Sequence, residues 1–215
     1  MTYHDKGASY EQSIAPSTQI RIDGGKTCSL ALLGKTSDGR LAGLTAGHCG
    51  KVGSAVFTSA IPGRALGTLS ASDLLIDVGL ITFDGSVLSA PDAASVSALA
   101  ATAPAVGDTV CQVSPETGTN CSFVGGIDEI ERRVLANYCS LPGDSGAPVY
   151  FNDKLVGMNL GNVGNRGDLG RNFDIPCEDA VSAVPHNFAF YRPIQDVLNV
   201  AGSLTFSDVG FSPLQ

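Results

Sequence analysis

Leu141-Pro142-Gly143-Asp144-Ser145-Gly146-Ala147-Pro148 sets a serine between two glycines, behind an acid, with a proline on either side. Glycines at 143 and 146 open backbone conformations closed to other residues, so Ser145 can be held on a tight, exposed turn. The two prolines work against a helix and predict a rigid loop. Such a loop can aim successive backbone N–H groups at one point. The amides of Gly143 and Ser145 would then form an oxyanion hole beside the Ser145 hydroxyl. Alone, a Gly-x-Ser-Gly reads as an ordinary surface loop. Two stretches upstream overturn that reading.

The first is Thr45-Ala46-Gly47-His48-Cys49-Gly50, and the second is Asp77 within Leu74-Leu75-Ile76-Asp77-Val78-Gly79-Leu80-Ile81. The chain has three histidines, His4, His48 and His186, and a histidine taken alone is more often structural than catalytic. An aspartate inside an otherwise apolar strand is harder to dismiss, because a buried carboxylate needs a partner. His48 is the natural one. A carboxylate, an imidazole and a hydroxyl in that relation make a general-base-activated nucleophile. Their order along the chain is His, Asp, Ser.

With these motifs the chain resembles the secreted bacterial branch of the chymotrypsin-like serine proteases, the streptogrisin and α-lytic protease group. Thr45 to Cys49 and Pro142 to Gly146 are similar to that family's signatures around its histidine and serine, and Asp77-Val78-Gly79-Leu80 to its aspartate strand. The likeness extends to Cys28-Ser29-Leu30 and Phe190-Tyr191-Arg192-Pro193-Ile194, so it covers roughly residues 20 to 200. It implies an all-β chain of two antiparallel β-barrels with a short C-terminal helix. It also implies a secreted serine endopeptidase that works through an acyl-enzyme, without cofactor or metal.

Composition bounds the class independently. A chain of 215 residues can hold one large β domain or two small ones. Gly is frequent, at 26 residues, and charged residues are only 16%, which favours a turn-rich all-β chain over a helical one. The net charge of −8 makes nucleic acid and anionic membrane poor partners. Protein or peptide substrates and a monomeric state are expected. Six cysteines without a Cys-x-x-Cys pair point to disulfides formed outside the cytoplasm rather than to metal. Sequence alone leaves their pairing open; the resemblance implies Cys28–Cys49, Cys111–Cys121 and Cys139–Cys177. Each closed loop would contribute on the order of 3 kcal/mol.

Residues 1–18 form a polar tail without a signal-peptide pattern, which reads as a mature or trimmed form. Residues 19–100 are expected to form the first barrel, carrying His48 and Asp77. Residues 101–200 form the second, carrying Ser145, and 201–215 are a C-terminal extension. Strands are predicted at Cys28 to Leu33, Leu41 to Ala46, Ala55 to Thr58, Ala65 to Leu69 and Leu74 to Phe83. In the second half they are predicted at Thr109 to Val113, Ser122 to Ile127, Arg132 to Tyr138, Pro148 to Phe151, Lys154 to Leu160 and Phe188 to Tyr191. Pro193 starts a helix to about Val200. The Ala/Ser/Pro-rich stretch 89–106 is compatible with a helix at 93–100, but the resemblance implies a linker.

In the implied chemistry Ser145 attacks a peptide carbonyl, His48 carries the proton, and Asp77 orients the ring. A histidine base predicts activity that rises with pH as the imidazole loses its proton. Asp144 is a different acid: in the family it is buried and fixes the oxyanion loop by pairing with a cation. Arg132 or Arg133 is the candidate here; both also read as solvated strand residues. Ala147 stands where the family has Gly, and Leu160 where it has a Ser that hydrogen-bonds the catalytic aspartate. Asp77 is therefore expected to lack one partner.

The resemblance walls the pocket before the scissile bond with Asn137, Tyr138 and Leu141, then Leu160, Gly161 and Asn162, and finally Ala189 and Tyr191. None is charged, which predicts cleavage after uncharged, chiefly apolar, side chains unless Asp168, Asp174, Glu178 or Asp179 folds in. Two rivals remain. An α/β-hydrolase using His186 conflicts with Ala147 and Pro148, where that class needs Gly and a helix. An inactive binding protein on a protease scaffold would usually have lost a triad member.

Overall fold

The computed structural model describes residues 12–61, 63–91, 93, 98–162, 188–202 and 209–214. Strand periodicity governs nearly all of it. The first half supplies β1 (Gln12–Ile14), β2 (Gln19–Ile22), β3 (Thr27–Ser29), β4 (Leu32–Lys35), β5 (Leu41–Thr45), β6 (Ala55–Phe57), β7 (Gly67–Asp73), β8 (Val78–Phe83) and β9 (Val87–Ser89). The second half supplies β10 (Thr109–Ser114), β11 (Gly118–Asp128), β12 (Arg133–Ala136), β13 (Pro148–Phe151), β14 (Lys154–Asn162), β15 (Ala189–Pro193) and β16 (Ser212–Pro213). A helix, Ile194–Ala201, follows β15 directly.

The second lobe is a closed six-stranded barrel in the order β10-β11-β12-β15-β14-β13. Alternate residues, among them Val110, Val124, Ala136, Tyr138, Val149 and Tyr191, fill its interior. The first lobe is an eight-stranded sheet in the order β16-β4-β5-β8-β7-β6-β2-β3. Only Leu30 and Ala31 separate β3 from β4, so the sheet rolls to bring β3 back towards β4. It remains a half-barrel, because Ser29 N–H at the β3 edge donates to Ser145 O (2.8 Å) instead of joining a ladder to β4. The seam of one lobe is thus occupied by the serine loop of the other.

All six residues of β8 are buried, which is expected of a strand covered on both faces. Leu155, Met158 and Leu160 from the barrel and Ile194, Val197 and Ala201 from the helix join the core of the first sheet. One continuous apolar core therefore locks the two lobes together. Residues 209–214 extend it: Ser212 pairs with Lys35 and Pro213 with Gly34, covering the otherwise open edge of β4.

Three local expectations change. Cys28 to Leu33 is two strands rather than one, broken where the sheet rolls. Leu74 to Phe83 is not one strand either. The Asp73 carboxylate accepts the N–H groups of Leu75 (2.9 Å) and Ile76 (3.0 Å), forming a turn that β8 leaves only at Val78. The strand expected at Ser122 to Ile127 lengthens, because β11 already opens at Gly118, opposite Ser114. The question of a helix at 93–100 falls largely outside the described residues.

Cys28–Cys49 and Cys111–Cys121 are disulfide-bonded, the second directly across the β10–β11 ladder. Cys139 is also disulfide-bonded, and the expected partner, Cys177, lies outside the described residues.

Candidate active site

His48 sits on a single tight turn, Gly47–Cys49, at the end of β5. Its backbone N–H donates to Asp77 Oδ1 (2.8 Å), and its ring Nδ1 lies 2.8 Å from Asp77 Oδ2. Ring and main chain are therefore held by one carboxylate. Asp77 reaches them from the turn before β8, with a left-handed φ of +64°. On the other face of the ring, Nε2 lies 3.0 Å from Ser145 Oγ. Hydrogen-bond reach on both nitrogens is the geometry a serine–histidine–aspartate relay requires. Among the described residues, the hydrogen bonds that Asp77 receives come from His48.

Ser145 comes from the other lobe, and the contact between lobes is built from β3. Ser29 N–H donates to Ser145 O, and Ser29 Oγ donates to Gly143 O (3.0 Å). The neighbouring Cys28 is bonded to Cys49, beside His48. Serine and histidine are thus registered through two consecutive residues of one strand. Gly146 completes the contact: at φ +85°, a Cβ there would lie 2.3 Å from Ser29 O. Gly143 has φ +115°, a conformation that side-chain-bearing residues rarely adopt. With this loop shape, the N–H groups of Gly143 and Ser145 have no protein acceptor among the described residues.

Two hubs escaped the sequence reading. Asn159, fully buried on β14, donates to Ser140 Oγ (2.9 Å) and Asp144 O (3.0 Å) and accepts from Tyr138 Oη (3.1 Å). A polar amide within the apolar run Leu155 to Leu160 was the available signal. Arg192, on β15, donates from Nε to Ile76 O (3.0 Å), the residue before Asp77, and from Nη1 to the carbonyls of Glu131 and Arg132. Burial pulls its guanidinium below the usual range, with Asp196 and Asp77 acting against that shift.

Among the described residues, no cation pairs with Asp144. Asp144 is fully buried and accepts from Ser114 Oγ, Thr117 Oγ1 (3.2 and 3.1 Å) and Leu141 N–H (2.8 Å). Arg132 is paired with Asp196, and Arg133 with Asp128.

A cleft of about 1040 Å³ runs across the site. Of the residues expected to wall the pocket, Leu141, Leu160, Gly161 and Asn162 line this cleft. Tyr138, Ala189 and Tyr191 do not: they are buried inside the closed barrel, and Phe190 faces the cleft instead. The error is one of strand phase, since residues either side of Phe190 point to the opposite face. Asn137 lies outside the cleft lining, its N–H bonded to Phe123 O (3.0 Å). Asp168, Asp174, Glu178 and Asp179 lie outside the described residues. The only metal-like cluster among the described residues, Cys28, His48 and Cys49, has both sulfurs committed to a disulfide.

No family model matches the chain. Serine protease 2 of Streptomyces fradiae is 30% identical over 169 residues, covering 71% of this chain and 96% of the relative. The chain belongs to the chymotrypsin-like serine proteases. Streptogrisin-C of Streptomyces griseus is 26% identical over 153 residues, covering 65% of this chain but 33% of the longer relative. Thermobifida fusca protease A superposes with a TM-score of 0.67 at 19% identity, covering 94% of this chain and 99% of that one. Within the family this chain falls in the streptogrisin and α-lytic protease branch, and the inactive-scaffold alternative is not favoured. The α/β-hydrolase reading fails on the fold itself, because a strand, β13, follows Ser145 where that class requires a helix.

Proposed function

We propose that His48, Asp77 and Ser145 are the catalytic unit of this chymotrypsin-like protease. The observation that carries the reading is the unbroken chain from Ser145 Oγ to His48 Nε2 and from Nδ1 to Asp77 Oδ2. Ser145 attacks the scissile carbonyl as His48 takes its proton; the acyl-enzyme forms as that proton passes to the leaving amine. Water then repeats the sequence and releases the acid. The Gly143 and Ser145 amides receive the developing negative charge, a contribution of roughly 3–4 kcal/mol per donor in related chemistry. All three side chains come from one chain, in keeping with a monomeric enzyme acting on proteins or peptides. Disulfides at Cys28–Cys49 and Cys111–Cys121 favour an extracellular setting. No helix among the described residues is long and apolar enough to cross a membrane.

For the residue before the scissile bond, Leu141, Leu160 and Phe190 offer an apolar wall and Asn162 an amide. An uncharged, chiefly apolar, side chain suits them, because a buried cation would need a carboxylate. A serine-directed phosphonate tests the catalytic assignment: it should label Ser145 in the native protein and not in His48→Ala. A peptide-library digest read by mass spectrometry tests the pocket. Dominant cuts after Arg or Lys would show that the specificity is set by residues other than these.

A further inference from the structure

Asp144 presents an unusual problem. It precedes the nucleophile, is fully buried, and has no ion pair among the described residues. A buried carboxylate without a cation must be stabilised by hydrogen bonds to its charged form. The donors come from the tip of one hairpin, β10–β11, strapped at its base by Cys111–Cys121. They are aligned in series. The N–H groups of Glu116 and Thr117 donate to Ser114 Oγ (both 3.2 Å), and Ser114 Oγ donates to Asp144 Oδ1. The buried amide of Gln112 donates from Nε2 to Thr117 Oγ1 (3.1 Å), and Thr117 Oγ1 donates to both oxygens of Asp144. Every hydroxyl therefore has its oxygen occupied by a donor and its proton turned towards the acid. Hydrogen-bond chains of this sense polarise one another and strengthen the final bond.

On the loop side, Asp144 Oδ2 accepts Leu141 N–H, and Asp144 N–H donates to Leu141 O (3.0 Å). These bonds close the turn on which Gly143 takes its φ of +115°. The shape of the loop thus depends on the carboxylate, and the carboxylate depends on the hairpin.

We infer that Ser114 and Thr117 are positioning residues that hold the oxyanion loop in its working shape through Asp144, in place of a cation. The inference rests on the reading above that Gly143 and Ser145 amides receive the oxyanion. Neither Ser114 nor Thr117 lines the cleft. Their loss should therefore appear in the chemical step and leave substrate binding largely intact.

The test is steady-state kinetics on a peptide substrate with Ser114→Ala, Thr117→Val and the double variant, alongside Thr117→Ser and Arg132→Gln. The double variant should lower kcat by about 10²-fold, comparable to loss of one oxyanion donor, with KM within about twofold. Thr117→Ser restores the hydroxyl and should stay within about threefold of the native kcat. Arg132→Gln, which removes only the partner of Asp196, should leave kcat within about twofold. If the double variant fails to fold by thermal unfolding, the two single variants carry the same comparison. Native-like kcat in folded Ser114→Ala and Thr117→Val would overturn the proposal, as would a Thr117→Ser no better than Thr117→Val. A loss in Arg132→Gln as large as in the hydroxyl variants would return the role to a cation. Failure of the catalytic reading is separable: the native protein would then neither cleave the peptide nor take phosphonate on Ser145.

Discussion

Two aspartates serve the site, and their surroundings are opposite. Asp77 has a side chain 22% exposed and, among the described residues, bonds only to His48, the group that must gain and lose a proton. Asp144 is fully buried and bonds to hydroxyls and an amide that never titrate in the working range. One acid faces a partner whose charge changes during reaction; the other sits in a fixed cage. A carboxylate opposite a fluctuating charge lowers the barrier, whereas a caged one fixes shape.

The sharpest break in that comparison is Asp77→Asn. It should lower kcat on the order of 10⁴-fold while leaving the fold intact, because an amide opposite Nδ1 favours the wrong imidazole tautomer. Asp144→Asn should cost less, roughly 10- to 100-fold in kcat, since its Oδ1 can still accept a hydroxyl while its amide opposes Leu141 N–H. Equal losses would contradict this division of roles between the two acids.

Arg192→Met probes the support beneath Asp77. It strands three carbonyls, those of Ile76, Glu131 and Arg132, in a region where Arg192 is buried. Stability should fall by about 2–3 kcal/mol, read by denaturant titration, with a smaller loss of kcat than in Asp77→Asn. Retained stability would show that water or rearrangement satisfies those carbonyls.

The smallest effect concerns alkaline pH. Burial pushes the Tyr150 phenol up to about 12 and raises Tyr191 further; Tyr138 is also held well above its usual range, by burial first and then by Tyr191 and Asp144. An unfolded tyrosine loses its proton near pH 10. Above that value the unfolded chain binds fewer protons than the folded one, so stability falls as pH rises from about 10 towards 12. Thermal unfolding across that range should show the decline, and Tyr150→Phe should reduce it slightly.

Much of this site was legible because its chemistry is concentrated in contiguous motifs. Thr45 to Cys49 and Pro142 to Gly146 each carry their own turn residues, so local sequence was sufficient to identify them. What escaped depended on contacts distant in sequence. The cage around Asp144 uses Ser114 and Thr117, about thirty residues away, and hydroxyls in a hairpin turn give no sign of what they face. The pocket wall failed for a narrower reason: on β15 a one-residue shift in phase exchanges Phe190 for Tyr191. The pairing of the C-terminal extension was not legible, because two strand residues, Ser212 and Pro213, are too short a run to recognise without the edge they cover.

The most direct test of the central claim is a double-mutant cycle between the two lobes. kcat/KM is measured for His48→Ala, Ser145→Ala and the two combined. If the pair acts as one unit, each single variant loses nearly all activity and the double is no slower than the worse single. A double variant slowed by the product of the two single effects would contradict the account. So would a His186→Ala variant that is inactive beside an active His48→Ala.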